Sequence, residues 1–202
     1  MNYIFDIGNV LVNYKPIEFL EELFSDSLVV DELYSTIFQS PQWLDMDRGL
    51  LSFCEATDIF CAQKPNLQTE IKKTMQNVNA IFTPINETIK LLPAIKEAGH
   101  GLYYLSNIQV EIRDYLISKH EFFKLFDGGV FSCDVKLIKP SPEIYQHLLK
   151  KYHLNAESCV FFDDMPENVT AAKKEGMKAL LFTTAECVTI LKSISGTDKC
   201  WM

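Results

Sequence analysis

Four groups of side chains in this sequence have the chemistry to hold and transfer a phosphoryl group: the Asp6 carboxylate, the hydroxyl and amide of Ser106-Asn107, the Lys139 ammonium, and the paired carboxylates Asp163-Asp164. Each has an ordinary explanation on its own. An acid or hydroxyl after an apolar run commonly closes a turn or caps a helix, and lysine is by default a solvated surface charge. Together they make a donor set suited to a divalent cation and a phosphate. Asp6 has no proton to lose, so it can attack phosphorus directly and form an aspartyl phosphate, provided a cation offsets its repulsion with the phosphate dianion. Mg2+ is a hard ion that takes carboxylates, carbonyls and water, which suits Asp6, Asp164 and a backbone carbonyl of the Gly8 turn. Ser106 and Asn107 can donate hydrogen bonds to phosphate oxygens. Lys139 precedes Pro140-Ser141-Pro142, where Ser141 reads as a helix cap and Pro142 as a first helical residue, so its ammonium falls beside a positive helix end.

The elements that must position these groups follow from the apolar pattern. Tyr3-Ile4-Phe5 is a short aromatic and β-branched run ending in the turn cluster Asp6-Ile7-Gly8-Asn9, so it reads as a buried strand. From Pro16 to about residue 80 the spacing is helical, over 16–24, 28–38, 50–62 and 67–78, with no strand. After Pro84 helix and strand alternate: helices at 85–98, 110–119, 142–152, 166–175 and 185–192, strands at 102–105, 130–132, 159–162 and 179–182. That alternation predicts an α/β fold, a Rossmann-like open parallel sheet with helices on both faces, with a helical bundle inserted after the first strand. The domain reading is a core of 1–13 and 83–202 and a helical cap of 14–82. In open parallel sheets ligands bind beyond the carboxyl ends of the strands, where Asp6, Ser106 and Asp163-Asp164 fall.

Composition narrows the function. The chain has 202 residues, 48% of them hydrophobic, with 19 basic against 27 acidic side chains and a net charge of -8. That balance opposes broad contact with a nucleic-acid backbone. No apolar run approaches a membrane span, and the acid at position 6 interrupts any signal peptide, so a cytoplasmic protein without membrane contact is expected, a monomer or weak homodimer. Six scattered cysteines without a C-x-x-C pair read as reduced core residues.

The ordered set Phe5-Asp6-Ile7-Gly8-Asn9-Val10-Leu11, Leu105-Ser106-Asn107, Lys139-Pro140 and Phe162-Asp163-Asp164-Met165-Pro166-Glu167-Asn168-Val169 resembles the haloacid dehalogenase superfamily. The match spans 1–13 and about 83–185, and the insertion is similar to the helical caps of one branch. The spellings of the first and last motifs are most similar to sugar-phosphate phosphatases, the alpha-glucose-1-phosphatases among them. The resemblance implies that Asp6 is the nucleophile, that Asn9, Ser106, Asn107 and Lys139 hold the substrate phosphate, and that Asp6, Gly8 and Asp164 bind Mg2+, with a small phosphorylated metabolite as substrate.

One position departs from that pattern. Phosphatases of the superfamily usually carry a second Asp two residues after the nucleophile as general acid and base, and here Gly8 stands there. Glycine still offers a carbonyl to the metal but cannot protonate a leaving alkoxide, a loss of about 10² to 10⁴ in rate. Three outcomes follow: a slower phosphatase, one with another acid, or one restricted to good leaving groups such as the anomeric oxygen of a sugar 1-phosphate. Two alternatives share the nucleophile or the fold: a metal-independent 2-haloacid dehalogenase, which has no use for Asp164, and a protein that binds a phosphometabolite with weak or no catalysis. A phosphomutase needs the acid that Gly8 lacks, and a signalling receiver has no such insertion. Within the insertion, Trp43, Asp45, Asp47 and Arg48 before Gly49 read as a surface helix junction in preference to a substrate contact, and Leu44, Leu50, Leu51 and Phe53 as bundle core.

Overall fold

In the computed structural model of the chain, Tyr3, Ile4 and Phe5 are buried in strand β1 (Asn2–Phe5), the centre of a five-stranded sheet. The structure describes residues 1–183, 189 and 191–193; most of the helix expected at 185–192, with Cys187, Cys200 and Trp201, lies outside these. Strands β2 (Gly101–Ser106), β3 (Gly128–Phe131), β4 (Cys159–Asp163) and β5 (Lys178–Leu181) complete the sheet in the order β3-β2-β1-β4-β5, every neighbouring pair parallel. Phe5 pairs with Tyr104 on one side and Phe162 on the other, and the Asp6 N–H continues the ladder onto the Phe162 carbonyl at 2.8 Å. The register sets Asp6 level with Asp163 and one step short of Ser106.

Alternation along the strands divides the core in two. Ile4, Leu105, Val130 and Phe161 face one layer of helices, while Tyr3, Phe5, Phe131 and Phe162 face the other, where Phe5 stacks on Phe162 at 5.1 Å between ring centroids. Each fully buried side chain of this size contributes roughly 1.5–3 kcal/mol of hydrophobic stabilisation.

Between β1 and residue 82 lie five α-helices, α1 (Pro16–Leu23), α2 (Ser27–Leu33), α3 (Pro41–Asp47), α4 (Phe53–Gln63) and α5 (Gln68–Asn77). The sheet helices are α6 (Asn86–Ile89), α7 (Leu92–Glu97), α8 (Val110–Lys119), α9 (Ser132–Val135), α10 (Pro142–Lys151) and α11 (Pro166–Lys174). Three expected helices differ in detail. The one at 28–38 is α2 followed by a wider π-type turn over Tyr34–Phe38, which ends with Phe38 against Trp43 at 4.7 Å. The one at 50–62 starts later, because Ser52 and Glu55 form a reciprocal capping box that fixes the first turn at Phe53. The one at 85–98 divides into α6 and α7 because Pro93 has no N–H to give the Ile89 carbonyl. Leu44 and Leu50, expected in the bundle core, are exposed, whereas Leu51 and Phe53 are partly buried against it. A seven-residue helix carries too little periodicity to fix which face turns inward.

The two chain passages joining the helical segment to the sheet are bonded to each other. Asn13 N–H donates to the Thr83 carbonyl at 2.7 Å and Ile85 N–H to the Leu11 carbonyl at 2.8 Å. Apolar side chains of the segment, Leu20, Ile37, Met46 and Phe60 among them, share one continuous cluster with Phe5 and Phe162. Cys61, Cys133 and Cys159 are buried and free as expected, and Cys54 is exposed. No helix among the described residues is long and apolar enough to cross a membrane.

Candidate active site

Four chain segments bring the predicted groups to the carboxyl edge of the sheet. Asp6 follows β1 and is buried. Its Oδ1 accepts hydrogen bonds from the Ile7 N–H at 2.7 Å and from Lys139 Nζ at 2.8 Å. Among the described residues no hydrogen bond reaches Oδ2, the oxygen left for an electrophile. Lys139, on the loop between α9 and α10, is 4% exposed and also donates to Asp163 Oδ2 at 2.6 Å. Burial opposes its charge, but Asp6 and Asp163 more than offset this, so its pKa is raised.

Asp163 and Asp164 divide the two roles open to an acidic pair. Asp163 Oδ1 accepts the Met165 N–H and Asn168 Nδ2, each at 2.9 Å, so this side chain caps the approach to α11 and orients Lys139. Asp164 points into the site and accepts Asn9 Nδ2 at 2.9 Å. Asn9 sits in the left-handed region at φ 52° and receives the Tyr14 N–H at 2.9 Å on its carbonyl oxygen, so its amide positions Asp164 at the pocket wall. Carboxylate oxygens of Asp6, Asp163 and Asp164 lie within 4.8 Å of one another. Carboxylate oxygens are the hard donors a small divalent cation takes, and Asp163 is the least available of the three because both of its oxygens are already engaged.

Ser106 ends β2 and Asn107 begins the loop before α8; neither caps that helix, whose cap position Gln109 occupies. Ser106 lines the pocket and is buried. The Asn107 side chain is engaged on the Lys139 backbone, receiving its N–H at 2.8 Å and donating to its carbonyl at 3.0 Å, so it clamps the lysine loop. Ser141 stands before α10 as expected but makes no side-chain cap, and Pro142 opens the helix. Around Gly8 the nearest atom to a Cβ would be Tyr14 Cβ at 3.9 Å, so packing does not demand glycine there.

The helical segment contributes what the sequence reading placed on the surface. Asp45 and Arg48 do form an outward ion pair at 3.3 Å, but Trp43 and Asp47 are buried and line the pocket over Asp6. That pocket has a volume of about 220 Å³ and an apolar wall of Tyr14, Trp43, Phe82, Ile108 and Met165. Asp47 is held by a residue with no signal in the sequence: Ser132 Oγ donates to the Asp47 carbonyl at 2.5 Å and accepts the Ile108 N–H at 2.8 Å. Helix α3 stops at Asp47 through a Schellman motif, with Gly49 N–H on the Met46 carbonyl and Leu50 N–H on the Asp45 carbonyl, both at 2.9 Å. Gly49 has φ +65° and packs so closely on α9 that a Cβ would meet the Cys133 carbonyl oxygen at 2.4 Å. Gly49→Ala is therefore expected to destabilise by more than about 1 kcal/mol and to lift Asp47 from the pocket, read as a lower Tm together with slower turnover. Unchanged values of both would show that this contact does not set the position of the segment.

A parallel sheet whose carboxyl edge gathers a buried acid, a lysine and an acidic pair beneath an inserted helical segment defines a hydrolase site for phosphoryl-type chemistry. The chain belongs to the haloacid dehalogenase-like hydrolases, whose family model matches residues 2–176. It is an enzyme of that family with phosphatase relatives. It is 31% identical over 180 residues to "Sesquiterpene phosphatase astK" of Aspergillus oryzae, covering 89% of this chain and 88% of that protein. It is 27% identical to "Phosphorylated carbohydrates phosphatase" of Thermotoga maritima, covering 88% and 82%. Its fold matches the had family enzyme bt-2542 of Bacteroides thetaiotaomicron, solved with magnesium and inorganic phosphate, at TM-score 0.71 and 19% identity over 91% of this chain and 94% of that one.

Proposed function

We propose that this enzyme hydrolyses a small phosphate monoester, a sugar phosphate above all, with Mg2+ and through an aspartyl phosphate on Asp6, and that residues 14–82 act as its cap over a core of 1–13 and 83–202. The observation that carries the reading is the Lys139 ammonium lying 2.8 Å from Asp6 Oδ1 and 2.6 Å from Asp163 Oδ2, beside Asp164. The buried lysine fixes one oxygen of the nucleophile and leaves the other free, while its positive charge draws the phosphate dianion. Asp6 attacks phosphorus, the Ser106 hydroxyl and the Lys139 ammonium bind the phosphate oxygens, and the cap wall excludes water from the ester. Asp6, Asp164 and the Gly8 carbonyl would hold the Mg2+, which when bound neutralises charge on both nucleophile and phosphate. The magnesium and phosphate in the bt-2542 neighbour support that choice of ion.

A second substrate reading rests on the apolar wall of Tyr14, Trp43, Phe82, Ile108 and Met165, and on the sesquiterpene phosphatase relative: an apolar organic phosphate such as an isoprenoid monophosphate. Both readings are tested by phosphate release from glucose 1-phosphate, glucose 6-phosphate and an isoprenoid monophosphate, with Mg2+ and with EDTA. Mg2+-dependent release is expected, and the fastest substrate chooses between the readings. Halide release from a 2-haloacid in EDTA, without phosphate release from any ester, would replace the proposal with a dehalogenase.

A further inference from the structure

A phosphatase with glycine at position 8 lacks a proton donor for the leaving oxygen, yet the pocket contains an acid that the mechanism above leaves idle. Asp47 is 8% exposed, ends helix α3, and lines the same cavity as Asp6, Ser106 and Lys139. Its backbone is anchored through Ser132 to Ile108 in the loop after β2, the strand that ends in Ser106. Its carboxyl accepts no hydrogen bond from the described residues, so it is an unpartnered acid in the wall of the cavity that holds Asp6, beside Tyr14 and Trp43. A buried acid without a hydrogen-bond partner costs stability.

Resting on the phosphatase reading above, we propose that Asp47 is the general acid and base of this enzyme, supplied by the helical segment in place of the missing acid at position 8. In the first step an Asp6 oxygen bonds to phosphorus as the bond from phosphorus to the ester oxygen breaks, and the Asp47 proton passes to that oxygen, releasing the alcohol. In the second, the Asp47 carboxylate takes a proton from water as the water oxygen bonds to phosphorus. The bond from phosphorus to Asp6 breaks, phosphate departs, and both acids return to their starting forms. With its own proton donor, the site does not need the good leaving group of an anomeric ester.

The surroundings suit the role. Burial, and then the Asp6 carboxylate, push the Asp47 carboxyl up to about 8, against the opposing pull of Lys139 and Arg48, the direction that suits a proton donor. Tyr14, the other titratable group facing it, is raised by burial and by Asp47 itself and stays neutral. The negative end of α3 acts in the same direction.

The experiment compares wild type, Asp47→Asn and Asp47→Ser, with Mg2+, on an alkyl phosphate and on 4-nitrophenyl phosphate, whose leaving group needs no proton. For both variants alkyl turnover is expected to fall about 10²- to 10⁴-fold. On the aryl ester a burst of one equivalent of nitrophenolate should persist near the wild-type rate, followed by slow release because the base for the second step is gone. That burst also shows that the variant site is folded. Alkyl turnover within threefold of wild type in either variant, or a burst slowed as much as alkyl turnover in both, would overturn the role of Asp47. A wild-type enzyme inert on both esters would instead bring down the phosphatase reading itself.

Discussion

Asp6→Asn is expected to reduce phosphate release by roughly 10⁴-fold or more and, in metal-free buffer, to give a protein more stable than the parent. The loss of activity follows from replacing the attacking oxygen by an amide. The gain in stability follows from charge. Three carboxylates meet within 4.8 Å with one lysine among them, so one negative charge of the cluster is removed without leaving a cation unpaired. Burial, with Asp163 and Asp164, raises the Asp6 carboxyl to about 7 even though Lys139 pulls it down. A carboxyl whose value is higher in the folded than in the unfolded chain stabilises fully below the unfolded value, near 4, and that stability is lost as pH rises through 7. Melts in EDTA should therefore show the Asn variant gaining on wild type between pH 4 and 7 and holding its lead above. Saturating Mg2+ should reverse the order at neutral pH, because only the wild type keeps the full donor set. A variant less stable than wild type in EDTA at pH 8 would contradict this account of the cluster.

How much of this was legible from the sequence depended on the range of the interaction. The strands were readable because Tyr3-Ile4-Phe5 and Cys159-Val160-Phe161-Phe162 are buried runs with turn residues after them, and the same local signal brought Asp6, Ser106 and Asp163-Asp164 to one edge. The division of labour within that edge was not readable. Asn107 spends its amide on the Lys139 backbone and Asn9 spends its own on Asp164, choices made by loops that meet only after folding. Trp43 and Asp47 read as surface residues because a short helix bounded by charges has no face of its own. Their burial depends on Ser132, 85 positions away, and on the close fit of Gly49 against α9. Local chemistry thus located the proposed nucleophile, while the acid proposed to complete it is visible only through tertiary contacts.

Lys139→Met should be the most damaging single change in the core, costing about 3–5 kcal/mol and, for a chain of this size, lowering Tm by roughly 6–20 °C, with loss of activity. Methionine matches the lysine stem in volume, so little of the effect is cavity. The cost lies in what is left behind: Asp6 and Asp163 are both buried, both accept from Lys139 Nζ, and neither has another cation within bonding distance among the described residues. Lys139→Arg should rescue poorly, because a guanidinium is larger than the space around a side chain that is 1% exposed and because Asn107 fixes the backbone from which it would have to retreat. The pH dependence separates this mechanism from simple loss of packing. Without the ammonium the Asp6 carboxyl titrates at still higher pH, so the deficit of the Met variant should be small near pH 4, where that carboxyl is protonated, and grow towards pH 8. A packing defect would give a deficit independent of pH. Urea denaturation in EDTA at the two pH values measures the difference, and a constant deficit would mean that the lysine fills space but does not hold the nucleophile in its charged form.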